Sequence, residues 1–148
     1  MIEGAVARAL AAISADDADE RAIRRRHPRA RFRDPHPIFQ LTSALIRRAI
    51  ESGASEVQLV PGVGGLSVRF SGATDTGMTL PERLQEPIIE RLKDGAGMDV
   101  EERNAPQTGF TPVLHDGALY DMSVSARPGA DGETILLRLA RKADASAL

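Results

Sequence analysis

The chain has 148 residues, of which 42% are hydrophobic and 27% charged, proportions typical of a globular domain with its own core. It contains no cysteine, which excludes disulfides and cysteine-based metal sites, and a formal net charge of −2 with only 3% aromatic residues argues against nucleic-acid binding. No apolar stretch approaches the ~18 residues of a membrane span, and the N-terminus lacks the features of a signal peptide, so we expect a cytoplasmic protein.

Residues 1–35 are predicted to form a helical extension that precedes the main domain. Apolar residues recur at helical spacing between Ile2 and Ile13, which gives this segment one apolar face. A second helix is indicated after it, because acidic residues from Asp16 to Glu20 precede a run of arginines, an order that suits the helix macrodipole. Closely spaced prolines then indicate a linker at about residues 27–37.

Residues 36–141 carry the alternation of helices and short strands that predicts one α+β domain. Apolar spacing indicates a helix over residues 38–52, which Gly53 is expected to end, and a second helix that begins near Pro81 and runs to Lys93. Period-two alternation and turn residues indicate short strands, over residues 57–60, 66–70, 76–80, 109–114, 118–125 and 134–139. Such strands favour a mostly antiparallel sheet with helices packed on one face, and residues 142–148 are expected to form a frayed tail.

Local signals mark the ends of the second of these helices. Thr79 and Glu82 have the spacing of a capping box, and Pro87 predicts either a kink or a helix start further along the chain. Gly95 and Gly97 are expected to end the helix. A His-Asp-Gly tripeptide between the fourth and fifth predicted strands is typical of a tight hairpin turn.

The most informative pattern is a run in the middle of the chain. RLKDGAGMDVEER, residues 91–103, leads into PQTGF at residues 106–110. Three further blocks flank it: P-x-x-x-L with A-x-x-x-G-A-S at residues 37–55, LSVRF at residues 66–70, and YDMSVS with GETILLRL at residues 120–139. Together the blocks, which cover about residues 36–141, closely resemble the N-terminal domain that precedes the motor domain in type II secretion and type IV pilus assembly ATPases.

The resemblance implies a domain that folds over the neighbouring motor domain, where some of its arginines approach the nucleotide phosphates. Arginine suits that role because its planar guanidinium pairs with phosphate through two hydrogen bonds. In this chain Ser71, Phe110 and Ser123 stand at positions where the family usually has arginine. Three further polar side chains of the family, Asp, His and Glu, are replaced by Thr108, Gln58 and Val60. The resemblance therefore implies a retained scaffold without its phosphate-reading charges.

No catalytic motif is found in the sequence. It contains no G-x-x-x-x-G-K-[ST] segment to hold a nucleotide phosphate, so we expect neither an enzyme nor a bound cofactor. Two of the three histidines lie in the predicted linker and the third lies in a turn, so a metal site is not expected. The carboxylates Asp116, Asp121 and Glu133 fall around predicted hairpins, where a solvated surface explains them better than an acid-base pair.

We therefore expect a non-catalytic accessory or regulatory domain that docks on another protein. The resemblance implies an assembly ATPase or an inner-membrane platform protein as the partner, with recruitment to the inner face of the membrane. The contact is expected at the sheet edge and around four residues, Arg69, Glu102, Arg103 and Gln107. Since the family's motor motifs do not follow these blocks, we expect a stand-alone relative of the N-terminal domain; a piece excised from a full ATPase is an alternative that the sequence leaves open.

Two other functions remain open from the sequence. Arginines of the extension offer a basic arm for an anion, which makes a nucleotide or cyclic-dinucleotide sensor one alternative; the arm consists of Arg24, Arg25, Arg26 and Arg29. The simpler interpretation of this cluster is a solvated helix face whose arginines pair with acidic residues three to four positions away. A degenerate scaffold that forms structural homo-oligomers is the further alternative.

Overall fold

The computed structural model describes residues 6–8, 37–73 and 77–144. The chain divides into two compact units, residues 1–46 and residues 47–148, and the second contains all the strands described below. Residues 6–8 are helical and Val6 is buried, in agreement with the helix predicted over residues 2–13. Several predicted features lie outside the described residues: the rest of that helix, the predicted linker up to residue 36, residues 145–148 of the tail, and the basic arm of Arg24, Arg25, Arg26 and Arg29.

The first long helix, α1 (Pro37–Glu51), confirms the helix predicted over residues 38–52. Its apolar stripe is buried, at Ile38, Leu41, Leu45 and Ala49. The helix ends as expected at Gly53, whose φ of 84° lies in the left-handed region that favours glycine. The Ala54 amide donates to the carbonyl of Ala49 at 2.9 Å, which completes the usual glycine-terminated helix end.

Six strands form one sheet in the order β3-β2-β1-β6-β5-β4. All neighbouring strands are antiparallel, so two three-stranded meanders, β1–β3 and β4–β6, join through the pairing of β1 with β6. This architecture confirms the α+β class and the antiparallel sheet. The strands are β1 (Glu56–Val60), β2 (Leu66–Ser71), β3 (Gly77–Leu80), β4 (Gln107–His115), β5 (Ala118–Arg127) and β6 (Thr134–Asp144), the last of which continues past the predicted domain boundary at residue 141.

The sheet has one covered face and one open face. Alternation along the strands places Leu59, Val68 and Leu137 on the covered face, where each is at most 2% exposed. The helix α2 (Gln85–Gly95) contacts β5, and the turn that follows it contacts Gly109 of β4 on this same side. The opposite side, the open face, carries exposed side chains along the inner strands. The core of the second unit therefore lies between the covered face and α2.

The predicted capping box at the start of α2 is wrong. Thr79 lies in β3, paired with Ser67 of β2, so its backbone belongs to the sheet and cannot begin a helix. A short 3₁₀ turn (Glu82–Leu84) comes next, and α2 starts at Gln85 without a side-chain cap. Pro87 consequently falls in the first turn of α2, where the missing N–H would have no helical partner in any case. The alternative of a later helix start is thus confirmed.

The end of α2 follows the prediction. Gly97 has a φ of 77°, and its N–H donates to the carbonyl of Asp94 at 3.1 Å. The Met98 N–H donates to the carbonyl of Lys93 at 2.9 Å, which gives the paired hydrogen bonds of a Schellman end. Met98 is buried, as is common for the residue in this position. This end places Lys93 in the last turn of α2, directed at the segment that leads into β4.

The hairpin between β4 and β5 has a two-residue loop, Asp116 and Gly117, whose φ values are 49° and 73°. Positive φ at both positions defines a type I′ turn and confirms the predicted hairpin. In such a hairpin the pairs alternate from the turn, starting with the hydrogen-bonded pair of His115 and Ala118. Pro112 therefore sits in a non-hydrogen-bonded pair, so its nitrogen faces away from β5 and its missing N–H costs the sheet nothing.

Candidate docking site

The segment between α2 and β4 is organised around a buried lysine. The side chain of Lys93 is 0% exposed, and its Nζ donates to the two carboxylate oxygens of Glu133 at 2.9 and 3.0 Å. The same Nζ donates to the main-chain carbonyl of Glu102 at 2.6 Å. One ammonium group thus ties the end of α2 to the β5–β6 loop and to the segment before β4. A buried charge is tolerated when it is paired and hydrogen-bonded in this way.

Glu133 corrects a prediction made from the sequence. Its position between two strands suggested a solvated carboxylate, but the residue is only 8% exposed because it serves as the counter-ion of Lys93. A signal was available on the helix: Lys93 lies four positions after Ile89 and one after Leu92, on the buried stripe of α2. A lysine on an apolar stripe requires a partner, and helical periodicity could have raised that question although it could not identify Glu133.

Gln107 holds the turn that precedes β4. Its Oε1 accepts from the Asp99 N–H at 2.9 Å, and its Nε2 donates to the carbonyls of Asp99 and Glu102 at 3.0 and 3.1 Å. An amide group can fill this role because it offers both an acceptor and two donors. Gln107, which was predicted to contact a partner, therefore makes these three side-chain hydrogen bonds within its own domain.

Substitution of Gln107 by alanine is expected to lower the free energy of unfolding by about 1–2 kcal/mol, because three hydrogen bonds of a partly exposed side chain are lost. Hydrogen exchange of the Asp99 amide should become faster, since that amide loses its acceptor. Thr108→Ala, at the exposed neighbouring position, is the matched control and should change stability by less than about 0.5 kcal/mol. If the Asp99 amide exchanged hydrogen at the same rate in Gln107→Ala as in the natural chain, the role assigned to Gln107 in holding this turn would be contradicted.

Glu102 and Arg103 complete this cluster, hereafter the motif cluster (Lys93, Glu102, Arg103, Gln107 and Glu133). An Oε1 of Glu102 accepts from the Asn104 N–H at 2.8 Å. Nη2 of Arg103 lies 2.6 Å from Oε1 of Glu86 and 3.2 Å from Oε1 of Glu90, and both glutamates belong to α2. The hydrogen bond to Glu86, with the charges of Glu86 and Glu90, raises the pKa of Arg103 above its ordinary value against an opposing effect of burial. The side chain is 48% exposed, so these pairs add little stability and leave the guanidinium accessible to a partner.

Arg69 lies apart from the motif cluster. It is exposed on the open face of β2, opposite Gln58 of β1, whereas Gln107 belongs to the covered face of β4. The strands β1, β6 and β5 separate the two. The structure therefore brings together Glu102, Arg103 and Gln107 of the predicted docking residues, and it places Arg69 on a different surface of the domain.

The three positions where the resemblance implies arginine fall into one row on the open face. In the register of the sheet Ser71 is opposite Glu56, Glu56 is opposite Arg138, Arg138 is opposite Ser123, and Ser123 is opposite Phe110. Directly opposed residues share a face, so these five side chains, hereafter the cross-strand row, lie side by side. Its arginine, Arg138, pairs with Glu56 at 3.2 Å. The sequence could not reveal the row, because its members come from five different strands.

A cleft of about 690 Å³ runs alongside α2. Its ionisable lining consists of Glu82, Arg83, Glu86, Glu90, Arg103, Asp131 and Glu133. Carboxylates outnumber guanidinium groups here, and such a field disfavours an anionic ligand such as a nucleotide. Within the described residues no group of three or more histidine and carboxylate side chains is placed to hold a metal ion, and no helix of that part of the chain is long and apolar enough to cross a membrane.

Comparison with known proteins gives a family match over most of the chain. The family model described as Type II/IV secretion system protein matches residues 32–147. Type II secretion system protein E of Xanthomonas campestris pv. campestris is 32% identical over 105 residues, which are 70% of this chain and 18% of that protein. Type II secretion system ATPase E of Vibrio cholerae is 31% identical over 111 residues, 74% of this chain and 22% of that protein.

A relative from pilus assembly matches equally well. Type IV pilus assembly ATPase PilB of Myxococcus xanthus is 31% identical over 118 residues, 78% of this chain and 21% of that protein. The chain thus spans about a fifth of the length of the relatives it matches. The matched region includes α1, the whole sheet, the motif cluster and the cross-strand row.

Proposed function

Because the chain belongs to the type II/IV secretion system protein family, we propose that its α+β domain is a docking domain of a secretion or pilus assembly machine and performs no nucleotide chemistry itself. The observation that carries the proposal is the composition of the cross-strand row. Three of its positions, Ser71, Ser123 and Phe110, hold two hydroxyl groups and a phenyl ring where the resemblance implies guanidinium groups. The α+β fold is thus retained, while the positive charges that the resemblance implies for these three positions are absent.

Electrostatics supports docking over phosphate binding. A triphosphate is held by several convergent cations or backbone amides. Arg138 is the cation of the row, and it already faces the carboxylate of Glu56. Phe110, by contrast, is 70% exposed, and an exposed aromatic side chain is typical of protein–protein contacts. This surface is therefore suited to another protein.

The partner we propose is an assembly ATPase or a platform protein of the inner membrane, reached from the cytoplasm. A domain with the shape of the family's N-terminal region can occupy the place of that region on the partner. Docking of this kind regulates the partner by competition, and it requires no catalytic group in this chain. The accessible guanidinium of Arg103, held by Glu86 and Glu90 beside α2, is proposed as a second, polar contact with the partner, separate from the open face.

The docking proposal is tested by titrating the full chain against the purified assembly ATPase and platform protein from the same cells. We expect saturable binding to one of them. Arg103→Ala should weaken it by about five- to tenfold, because a charge at the rim of an interface is lost. Arg127→Ala, which removes another exposed arginine, should leave the affinity unchanged. Binding to neither protein would contradict the proposed function.

The absence of nucleotide chemistry is tested separately with a fluorescent ATP analogue. We expect no saturable binding to the natural chain, and measurable binding once Ser71→Arg, Phe110→Arg and Ser123→Arg restore a row of guanidinium groups. A control variant with the same added charge places arginine at the exposed positions Asn104, Ala105 and Ala130 and should not bind. Saturable binding by the natural chain that Arg138→Ala abolishes would overturn this part of the proposal.

A further inference from the structure

The open face carries a patch of exposed apolar side chains at the β4 side of the sheet. Phe110 is 70% exposed and Leu114 is 66% exposed. Pro112, also exposed, lies between them on the same face, because alternate residues of a strand point the same way. Side chains of this size are usually withdrawn from water, and a contiguous exposed set marks a surface that binds something.

Register extends the patch across β5 and β6 and places one carboxylate within it. Leu119 is opposite Leu114, Asp121 is opposite Pro112, and Ala140 is opposite Asp121. The exposed Asp121 has no ion-pair partner among the residues that the structure describes. The patch is therefore apolar with a lone negative charge at its centre, and we refer to it as the Asp121 patch.

A ligand would approach this patch from the face of the sheet and not from its edge. The free edge of β4 could in principle accept another strand. Pro112, however, stands where the outward-facing N–H of β4 would donate to an added strand, and proline has no such donor. The edge is blunted, while the side chains of the open face remain accessible.

We propose that the Asp121 patch binds an amphipathic helix of a partner protein, with a lysine or arginine of that helix paired to Asp121. The helix would belong to the machine component of the proposed function, on which this inference rests. Apolar contacts cover Phe110 and Leu114. A carboxylate that is covered in this way needs a cation opposite it, since an unpaired charge withdrawn from water is strongly unfavourable. The charge of Asp121 thus determines which helices bind.

Geometry specifies the pattern of the helix. Phe110 and Leu114 are four residues apart on β4, about 14 Å at about 3.4 Å per residue. A helix advances about 1.5 Å per residue, so this span equals about nine residues of helix. The nearest positions that share one helix face are about seven or eight residues apart and cover about 11–12 Å, so apolar side chains there contact both ends of the patch. A basic residue at the fourth position between them reaches the middle of the patch, where Asp121 lies opposite Pro112.

A second copy of the chain is a less suitable occupant. A symmetric dimer through this face would place the same patch on both sides of a two-fold axis. The lone carboxylate near the centre would then face the carboxylate of the other copy, and like charges at a closed interface cost several kcal/mol. A basic helix from a different protein avoids this repulsion.

The test uses two fluorescein-labelled helical peptides that differ at one position. Both carry leucine at positions i, i+3 and i+7; one has lysine at i+4 and the other glutamate. With the full chain we expect saturable binding of the lysine peptide and at least about tenfold weaker binding of the glutamate peptide. Asp121→Lys should reverse this preference, and Phe110→Ser should weaken the lysine peptide about tenfold or more. Val63→Ser removes another large side chain, 81% exposed, and should change nothing.

Several results would overturn the proposal. Equal affinity for the two peptides, an unchanged preference in Asp121→Lys, or no saturable binding up to about 1 mM would each do so. Self-association in sedimentation that Phe110→Ser abolishes would assign the patch to a second copy instead. These outcomes are distinct from failure of the proposed function, because binding of the assembly ATPase or platform protein is measured separately. If that binding persists undiminished in Asp121→Lys, the docking function stands and the Asp121 patch is not its contact.

Discussion

Replacement of Lys93 by methionine is expected to lower the free energy of unfolding by about 3–5 kcal/mol, because it leaves the carboxylate of Glu133 buried without its counter-ion. Methionine preserves the length of the side chain, so the loss reports the charge and its hydrogen bonds more than packing. The carbonyl of Glu102 keeps one donor, the side-chain amide of Gln107. Urea denaturation of the natural chain and the variant measures the difference.

The second lysine of the chain provides a matched control. Lys142 is exposed, and Lys142→Met should change the free energy of unfolding by less than about 0.5 kcal/mol. A double variant, Lys93→Met with Glu133→Leu, removes both charges and should recover much of the lost stability, because neither partner is then left buried alone. Equal stabilities of Lys93→Met and Lys142→Met would contradict the structural role assigned to the buried pair.

Substitution of Gly109 by alanine is expected to cost about 3 kcal/mol, at the upper end of the usual range for overpacking. A Cβ at this position would lie 2.3 Å from the carbonyl oxygen of Ala96 and 3.0 Å from its Cβ. The obstacle is the backbone of the turn after α2, which cannot rotate away as a flexible side chain would. Either the turn separates from the sheet or β4 shifts. Thermal or urea denaturation should show the resulting decrease in the free energy of unfolding.

Gly95→Ala is the same chemical change in a different setting. Gly95 is the last residue of α2, and a Cβ there meets nothing within 4 Å. Alanine favours the helix over glycine, so this variant should be neutral or more stable by up to about 1 kcal/mol. Opposite signs for the two substitutions would support close packing of the Ala96 turn on β4. If Gly109→Ala were as stable as Gly95→Ala, the Ala96 turn would be able to move away from β4 with little loss of stability, which would contradict this prediction.

Three residues of the central motif have a structural role. Lys93, Gln107 and Gly109 all hold the segment between α2 and β4 against the rest of the domain. The run RLKDGAGMDVEER and the following PQTGF therefore contribute largely to the architecture of the domain. Three of the departures that the resemblance implies, Ser71, Ser123 and Phe110, lie in the cross-strand row on the open face. The stabilising contacts thus lie on the covered side of the sheet, whereas the proposed docking contacts are the open face and the accessible guanidinium of Arg103 beside α2.

Local signals were sufficient wherever a few neighbouring residues decide the backbone. The 3.6-residue period located α1, the His-Asp-Gly turn located the hairpin, and Gly53 and Gly97 marked helix ends because their left-handed φ values suit glycine. The capping box failed because Thr79 has an alternative use for its backbone, the pairing of β3 with β2. That pairing is invisible to a rule that reads four consecutive residues.

By itself, the sequence determined α1, the six strands and the end of α2, together with the α+β class and the family, since propensity, periodicity and motif spacing are carried by residues close together in the chain. Only the tertiary structure decided that Glu133 is the buried partner of Lys93 and that Ser71, Ser123 and Phe110 lie side by side. It alone placed Asp121 among apolar side chains on the open face. The physical reason is strand register: which residues face one another across a sheet depends on pairings between distant segments, and a shift of one residue would turn each of these side chains to the other face.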